Sequence, residues 1–383
     1  MNTGPTVLKQ LLNYLSRYEF NQCVQRYQGN CRCRGFPCWS QFVCMAYAQL
    51  TGRHSLRDIV LGLNAHPERL YHLGMRRRVV RSTLADANEC RDYRIYQDLG
   101  YYLIQQARGL YQDEPLAVEL EQTVYALDST IIELCLSVFP WAEFRTTKAA
   151  VKMHTLLDLR GAIPRFLTLS TGKLHDVNVL DVVPLVAGDI VIMDRAYLDF
   201  ERLYRLQRRA VFFVTRAKRN LRYRRVCSLP RDRAQGVRAD QYIVLRLPAS
   251  RRAYPEHLRR VSFTDPHTGK HLVFLTNYFA VSAITVAALF QHRWQVELFF
   301  KWIKQHLRLK AFYGTSPNAV KTQIWIAICL YLLVAIARKR LGIAASLHTL
   351  LRILEVNALE KVPITQLVMN ALDQKSMPRI TSD

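Results

Sequence analysis

Two short runs constrain the fold more than anything else in the chain. Val124-Tyr125-Ala126-Leu127 and Ile190-Val191-Ile192-Met193 are apolar at every position, and each is followed at once by an aspartate, Asp128 or Asp194. A strand with one face in water alternates apolar and polar residues, so a strand that is apolar throughout must be covered on both faces, as in an α/β sheet. Residues 152–159 and 163–170 read as further strands turning at Gly161, and 210–215 as another buried one. In an open sheet of this kind the carboxyl ends of the strands line the ligand crevice. Asp128 and Asp194 are therefore expected at a functional site, each terminating its strand.

A third acid comes from a helix. Val296, Phe299, Phe300, Ile303 and Leu307 recur at helical spacing and predict a long helix beginning near Ser282 or Thr285. At about 100° per residue, Arg293, Glu297 and Lys304 fall within roughly 40° of one another on its polar side. Alone, this stripe reads as a solvated i,i+4 ion pair worth a few tenths of a kcal/mol. Beside Asp128 and Asp194 it reads differently, because three gathered carboxylates repel unless a cation neutralises them. All-oxygen ligands select Mg²⁺ or Mn²⁺. Two such ions can activate a water or a 3′-hydroxyl and stabilise the leaving oxygen of a phosphoryl transfer. Trp294 and Trp302 lie off the acid stripe and are expected to pack.

The charge balance agrees with a phosphate-rich partner. The 383 residues carry 54 Lys and Arg against 30 Asp and Glu, a formal net charge of +24, which points to nucleic acid. Residues 201–260 alone hold 18 basic against 4 acidic side chains, and 219–275 reads as a basic, β-rich insertion. A second basic run, Arg76-Arg77-Arg78 with Arg81, reads equally as a solvated turn or a phosphate contact. Residues 1–115 otherwise follow the helical period, with Ser55 and Asp58 forming a capping-box pattern. No amino-terminal secretory pattern or lipidation motif is found, and the longest uncharged apolar run, 324–337, is short for a bilayer, so a buried core helix and no membrane are expected. The nine cysteines are odd in number and irregularly spaced, which fits reduced thiols in a cytoplasm. Cys31, Cys33, Cys38 and Cys44 could be zinc ligands, but their spacing matches no common site.

Three segments carry a family resemblance: V-Y-A-L-D-S-T at 124–130, I-M-D-R-A-Y at 192–197 and H-R-W-Q-V-E-L-F-F-K-W-I-K at 292–304. They resemble bacterial DDE transposases of the insertion-sequence-4 family, whose third motif is Tyr-x2-Arg-x3-Glu-x6-Lys. Phe290, Arg293, Glu297 and Lys304 match its spacing, with phenylalanine where the family has tyrosine; the ring is kept and the hydroxyl contact is missing. V-K-M-H-T-L-L-D-L at 151–159, T-G-K-L-H-D at 171–176 and S-L-R-D-I at 55–59 also look like family segments.

The resemblance implies an α/β, RNase H-like catalytic core with a β-rich insertion, preceded by an all-helical N-terminal domain. Its implied layout is 1–75 for the helical DNA-binding domain, 76–120 for a helical connector and 121–218 for the first part of the core. The insertion at 219–275, the second part of the core at 276–345 and a tail at 346–383 complete it. By the same analogy Asp128, Asp194 and Glu297 hold two Mg²⁺ or Mn²⁺ ions and are catalytic. Arg293, Lys304, Phe290 and Arg195 contact DNA, with a structural salt bridge the other reading of Arg195. His175, Asp176, Lys152 and His154 are supporting residues at most. The implied activity cuts the terminal inverted repeats of an insertion sequence and joins their 3′ ends to target DNA, within a homodimeric end complex near the bacterial nucleoid. A non-catalytic end-binding protein and an RNase H-like nuclease without strand transfer are the alternatives.

Overall fold

The computed structural model describes residues 4–116, 120, 122–145, 148–266, 268–306 and 312–373. Leu307 of the apolar stripe and residues 374–383 of the tail lie outside them. In chain order the helices α1 (Val7–Leu12), α2 (Arg17–Arg26), α3 (Cys38–Leu50), α4 (Leu56–Asn64), α5 (Pro67–His72), α6 (Arg81–Cys90) and α7 (Arg94–Tyr111) come first. Strands β1 (Val124–Leu134), β2 (Glu143–Arg145), β3 (Lys148–Asp158), β4 (Ile163–Thr171) and β5 (Ile190–Met193) follow. After them come α8 (Phe200–Arg208), β6 (Phe212–Arg216), β7 (Tyr223–Ser228), β8 (Val237–Leu245), α9 (Pro248–Ala253), β9 (Leu258–Thr264) and β10 (His271–Thr276). Helices α10 (Ala283–Gln291), α11 (Trp294–His306), α12 (Pro317–Arg340), α13 (Leu347–Asn357) and α14 (Ile364–Asp373) complete the chain. Residues 1–112, 132–149 and 301–383 form one compact unit, and 113–131 with 150–300 form another.

The first unit is helical because its segments carry the right ends as well as the right period. Thr6, Ser16, Ser55, Ser316 and Ser346 each accept a hydrogen bond from the third N–H of the helix they precede. Such caps satisfy donors that helix termini otherwise leave open, at about 1 kcal/mol each. At its centre α12 is buried from Ala319 to Ala337 apart from Lys321. This helix is long and apolar enough to cross a membrane, and 94% of its most apolar 18-residue window is buried within the protein. It packs along α7, where Gly100 faces Trp325 so closely that a Cβ at Gly100 would lie 2.9 Å from two ring carbons. The Tyr111 hydroxyl donates to the Ala335 carbonyl at 3.0 Å in the same seam. Within the described residues the tail is docked on α1. Val7 and Leu8 donate backbone hydrogen bonds to Glu360 and Ala358, and Gln10 accepts from the Ile364 N–H. Ile364 and Val368 bury the apolar face of α14, an amphipathic pattern short enough to escape notice in the sequence.

The second unit is built on the sheet, whose order is β2-β3-β1-β5-β6-β10-β9-β8-β7 with β4 also paired to β3. β1, β5 and β6 run parallel, and both apolar runs lie inside this parallel stretch, fully buried as their composition requires. Segment 219–275 does form strands, with the short helix α9 among them. These strands continue the main sheet rather than forming one of their own, because β10 pairs antiparallel with β6. Deep in this extension Arg259 grips Asp240 with two hydrogen bonds of 2.9 and 2.7 Å, both residues 3% exposed. One arginine of the basic segment is therefore a core residue. Outside, β7 is an edge strand bearing exposed Arg224 and Arg225, charges that keep an edge from pairing with another chain.

The seam between α7 and α12 gives a direct test of packing. Gly100→Val should destabilise the protein by about 1–3 kcal/mol in urea unfolding, since the Trp325 ring cannot yield without moving its helix. Trp325→Leu in the same chain should recover part of that loss; an unchanged midpoint in the single variant would contradict the close approach.

Candidate active site

The site begins with strand register. β1 and β5 pair from Val124↔Ile190 to Leu127↔Met193, so Asp128 and Asp194 are the next residue on each of two adjacent parallel strands. Asp128 does not end its strand as expected. β1 runs on to Leu134, and what ends at Leu127 is its pairing with β5, where the chain turns off through Arg195–Tyr197. The polar run Asp128-Ser129-Thr130 interrupts the apolar pattern, yet it is part of the extended strand. The functional consequence is the same, because both carboxylates emerge where the parallel pairing stops.

Arg293 ties the third acid to the first. The expected long helix is two, α10 and α11, broken at His292 and Arg293. Arg293, Gln295 and Val296 donate to Phe290, His292 and Arg293 three residues back, which tightens the chain by part of a turn at this point. The guanidinium then spans two acids: its Nη1 donates to Asp128 Oδ2 at 2.8 Å and its Nη2 to Glu297 Oε1 at 2.6 Å. The pair with Asp128 is about four-fifths shielded on both sides, whereas the Glu297 side chain is 58% exposed. Burial pushes Asp128 up to about 6, with Glu297 and Asp194 adding to the rise and the Ser129 N–H and Arg293 opposing it. Asp194 contributes a buried Oδ1 that has no hydrogen-bond partner among the described residues. A buried carboxylate oxygen left open beside two more acids is a donor set suited to a hard divalent cation. Among the described residues, no three acid, histidine or cysteine groups close on a single point, and the Arg293 guanidinium stands between Asp128 and Glu297.

A supporting network lies behind Asp128, and the sequence only hinted at it. The Ser129 hydroxyl donates to Asp176 Oδ1 at 2.6 Å, and the same oxygen is 3.2 Å from Lys152 Nζ and 3.7 Å from His154 Nδ1. Lys152 also donates to the Leu174 carbonyl at 2.9 Å, and His154 Nε2 meets Ser170 Oγ at 2.8 Å. Lys152 and His154, two residues apart on β3, are both buried. Burial drives the His154 imidazole down to about 4, so it is neutral at pH 7. Tyr197 is buried nearby, its phenol pushed up by burial and then by Asp128 and Asp176. Asp176 thus acts on Asp128 through Ser129, the residue bonded to it. His175, its neighbour, only precedes the short turn of helix at Asp176–Asp181.

The other expected residues separate. Arg195 is exposed and makes no ion pair among the described residues, which removes the salt-bridge reading. Phe290, expected on DNA, is buried instead: its ring packs 4.9 Å from that of Phe274 and lies beneath the Arg293 guanidinium, 5.6 Å away. It supports Arg293. Lys304 lies farther along α11, in the helical unit, where burial lowers its pKa against the pull of Glu133. Trp302 packs on Tyr331 as expected, but Trp294 is 50% exposed. Cys38 and Cys44 are buried in α3 with their thiols pushed up by burial, while Cys31 is exposed, and among the described residues no three of the cysteines come together as a metal site.

Residues 119–333 match the family described as "Transposase DDE domain", and residues 3–76 match a domain of unknown function, DUF4372. A relative from Geobacillus stearothermophilus, "Probable transposase for insertion sequence element IS5377", is 32% identical over 207 residues, 54% of this chain and 54% of that protein. The chain thus spans about half the length of this relative. A second, y4zB of Sinorhizobium fredii, also bears a transposase name and is 29% identical over 67% of this chain and 71% of its own. Among solved structures, a piggyBac transposase synaptic complex with hairpin DNA covers 99% of this chain and 85% of its own, at 12% identity and a TM-score of 0.47.

The raised pKa of Asp128 has a measurable effect on folding. The native protein keeps a proton on Asp128 that the unfolded chain releases between the ordinary 3.8 and about 6, so stability is lost as pH rises through that window. The full cost is about 3 kcal/mol. Asp128→Asn should match the parent near pH 4 and exceed it by roughly 1–3 kcal/mol near pH 7.5 in denaturant unfolding. Equal stability of the two proteins at both pH values would contradict a buried, charged Asp128.

Proposed function

The chain belongs to the DDE transposase family, whose domain it matches over residues 119–333, and from that membership we propose that it is an insertion-sequence transposase. In this reading it binds the terminal inverted repeats of its element, cleaves them and joins the 3′ ends to target DNA. The observation that carries the proposal is the meeting of Asp128 and Asp194 on adjacent parallel strands, with Glu297 brought to Asp128 through Arg293. The strand order β4-β3-β1-β5-β6, parallel from β1 to β6, supports an RNase H-like core extended by β10-β9-β8-β7. The strong positive charge supports DNA as the substrate.

Asp128, Asp194 and Glu297 would hold the divalent ions, and the open Oδ1 of Asp194 supports that assignment. A bound pair of Mg²⁺ or Mn²⁺ would supply Lewis-acid activation of water or a 3′-hydroxyl and stabilise the leaving oxygen. The chain's own residues do the rest. Arg293 balances Asp128 and Glu297 before the acids are occupied, and on release its forked donors suit a phosphate beside the cut. Arg195 stands exposed next to Asp194, available to a second phosphate. Phe290 holds Arg293 from below, and Asp176 with Ser129 fixes the backbone that presents Asp128. Arg219, Arg222, Arg224 and Arg225 are exposed and free of ion pairs among the described residues, so they can track the DNA backbone without reading sequence. A homodimer on paired ends would place one such site on each, in the cytoplasm where nucleoid DNA lies.

Asp128→Ala, Asp194→Ala and Glu297→Ala should each reduce end cleavage to the no-enzyme level while end binding, which rests on arginines and lysines, stays near that of the parent. Chelator should stop cleavage without unfolding the chain. Pre-cut ends supplied with a target plasmid separate the readings: joined products mark a transposase, and cleavage without joining marks a nuclease. Measurable cleavage by any of the three variants would remove that residue from the set.

A further inference from the structure

Parts of two sequence features that the active site leaves unused, the loop carrying Cys31 and Cys33 and the Arg77-Arg78 pair, meet at one cavity of the helical unit. The cavity, of about 650 Å³, opens between the loop after α2 and the turn before α6. Arg32 and Arg34 reach it from the loop, Arg77 and Arg78 from the turn. All four are exposed, and none makes an ion pair among the described residues. Two aspartates also line it, but Asp92 is already held by Arg94 at 2.6 Å. Arg91 is likewise committed, donating to Gln41 Oε1 at 3.1 Å and to the Phe36 carbonyl. What remains is a concave surface with four guanidiniums against the single carboxylate of Asp86.

The loop that presents them is held in shape. A Cβ at Gly29 would come within 2.5 Å of Ile95 Cδ1 and 2.7 Å of Cys38 Sγ, so the absent side chain lets the loop lie close over α7 and α3. Asn30 Oδ1 accepts from the Cys38 N–H at 2.8 Å and ties the loop to the start of α3. Arg32 sits at φ 55°, a left-handed conformation uncommon outside glycine. At Gly35 a Cβ would meet Arg77 Nη1 at 2.7 Å, so the missing side chain leaves room for that guanidinium. Like charges gathered by two separate segments repel one another unless a polyanion answers them. The cavity is wider than one phosphate needs, which suits a run of backbone.

We propose that this cavity seats the phosphodiester backbone of duplex DNA, a DNA contact made by residues outside the catalytic set. The choice of DNA as the polyanion rests on the transposase reading. Cys31 and Cys90 are exposed thiols on the cavity wall and report its occupancy directly. The test uses the full chain and a duplex carrying the element's end, with an unrelated duplex of equal length beside it. At saturating duplex of either sequence, N-ethylmaleimide should modify Cys31 and Cys90 several-fold more slowly, read by peptide mass spectrometry. Combining Arg32→Ser, Arg34→Ser, Arg77→Ser and Arg78→Ser should abolish this protection at equal occupancy. It should also lower the salt slope of binding by about 0.9 for each phosphate that is no longer neutralised. Unchanged alkylation of the parent chain at saturation overturns the proposal without recourse to any variant, and so does an unchanged slope. If the ends are cut and joined while both thiols react freely, the cavity proposal falls alone. If the thiols are protected but no end is ever cut, the catalytic reading falls and the cavity stands.

Discussion

Carboxylates can be gathered where a buried parallel sheet ends only if positive charge comes with them, and in this chain the charge is the Arg293 guanidinium. It lies between Asp128 and Glu297 with a hydrogen bond of under 3 Å to each. Even so, burial and the neighbouring acids hold Asp128 near 6, so the ion pair offsets only part of the cost of placing that acid. A divalent cation could offset more of it. On the proposed function the same arrangement would serve two states: one in which the arginine holds the acids, as here, and one in which they would take an ion and the arginine a phosphate.

Much of the surrounding structure makes sense as support for that arrangement. Parallel pairing of β1 with β5 sets Asp128 and Asp194 side by side, and the break between α10 and α11 swings Arg293 onto Asp128. Phe290, packed on Phe274 of β10, supplies the floor under the guanidinium. The extension of the sheet beyond β6 thus has a part in the site, since β10 carries that floor. Behind Asp128, buried Lys152 and His154 meet half-buried Asp176 in a polar layer joined to the strand through Ser129. His154 Nδ1, 3.7 Å from Asp176, has no hydrogen-bond partner among the described residues.

The parts legible in the sequence were those set by local pattern. Fully apolar runs ending in aspartate marked the two central strands, and i,i+4 spacing on a helix marked Arg293 with Glu297. What escaped depended on interactions between distant segments. Residues 129–134 follow the aspartate expected to end the strand, yet they continue it within the sheet. The helix break at His292 and Arg293 follows from hydrogen bonds that no periodicity records. Asp176 lies 47 residues from Ser129, and one acid beside one histidine is an ordinary pattern. Arg259 looked like any other arginine of a basic segment, although its guanidinium is sealed in the sheet with Asp240.

Whether Asp128, Asp194 and Glu297 share one divalent site on the folded protein can be mapped without any assay of activity. Fe²⁺ substitutes for Mg²⁺ at oxygen-ligand sites, and with ascorbate and peroxide it cuts nearby backbone. A shared site should give fragments ending close to residues 128, 194 and 297 together, suppressed by excess Mg²⁺ and lost in Asp194→Ala. Cuts confined to one of the three positions, or a pattern indifferent to Mg²⁺, would contradict it.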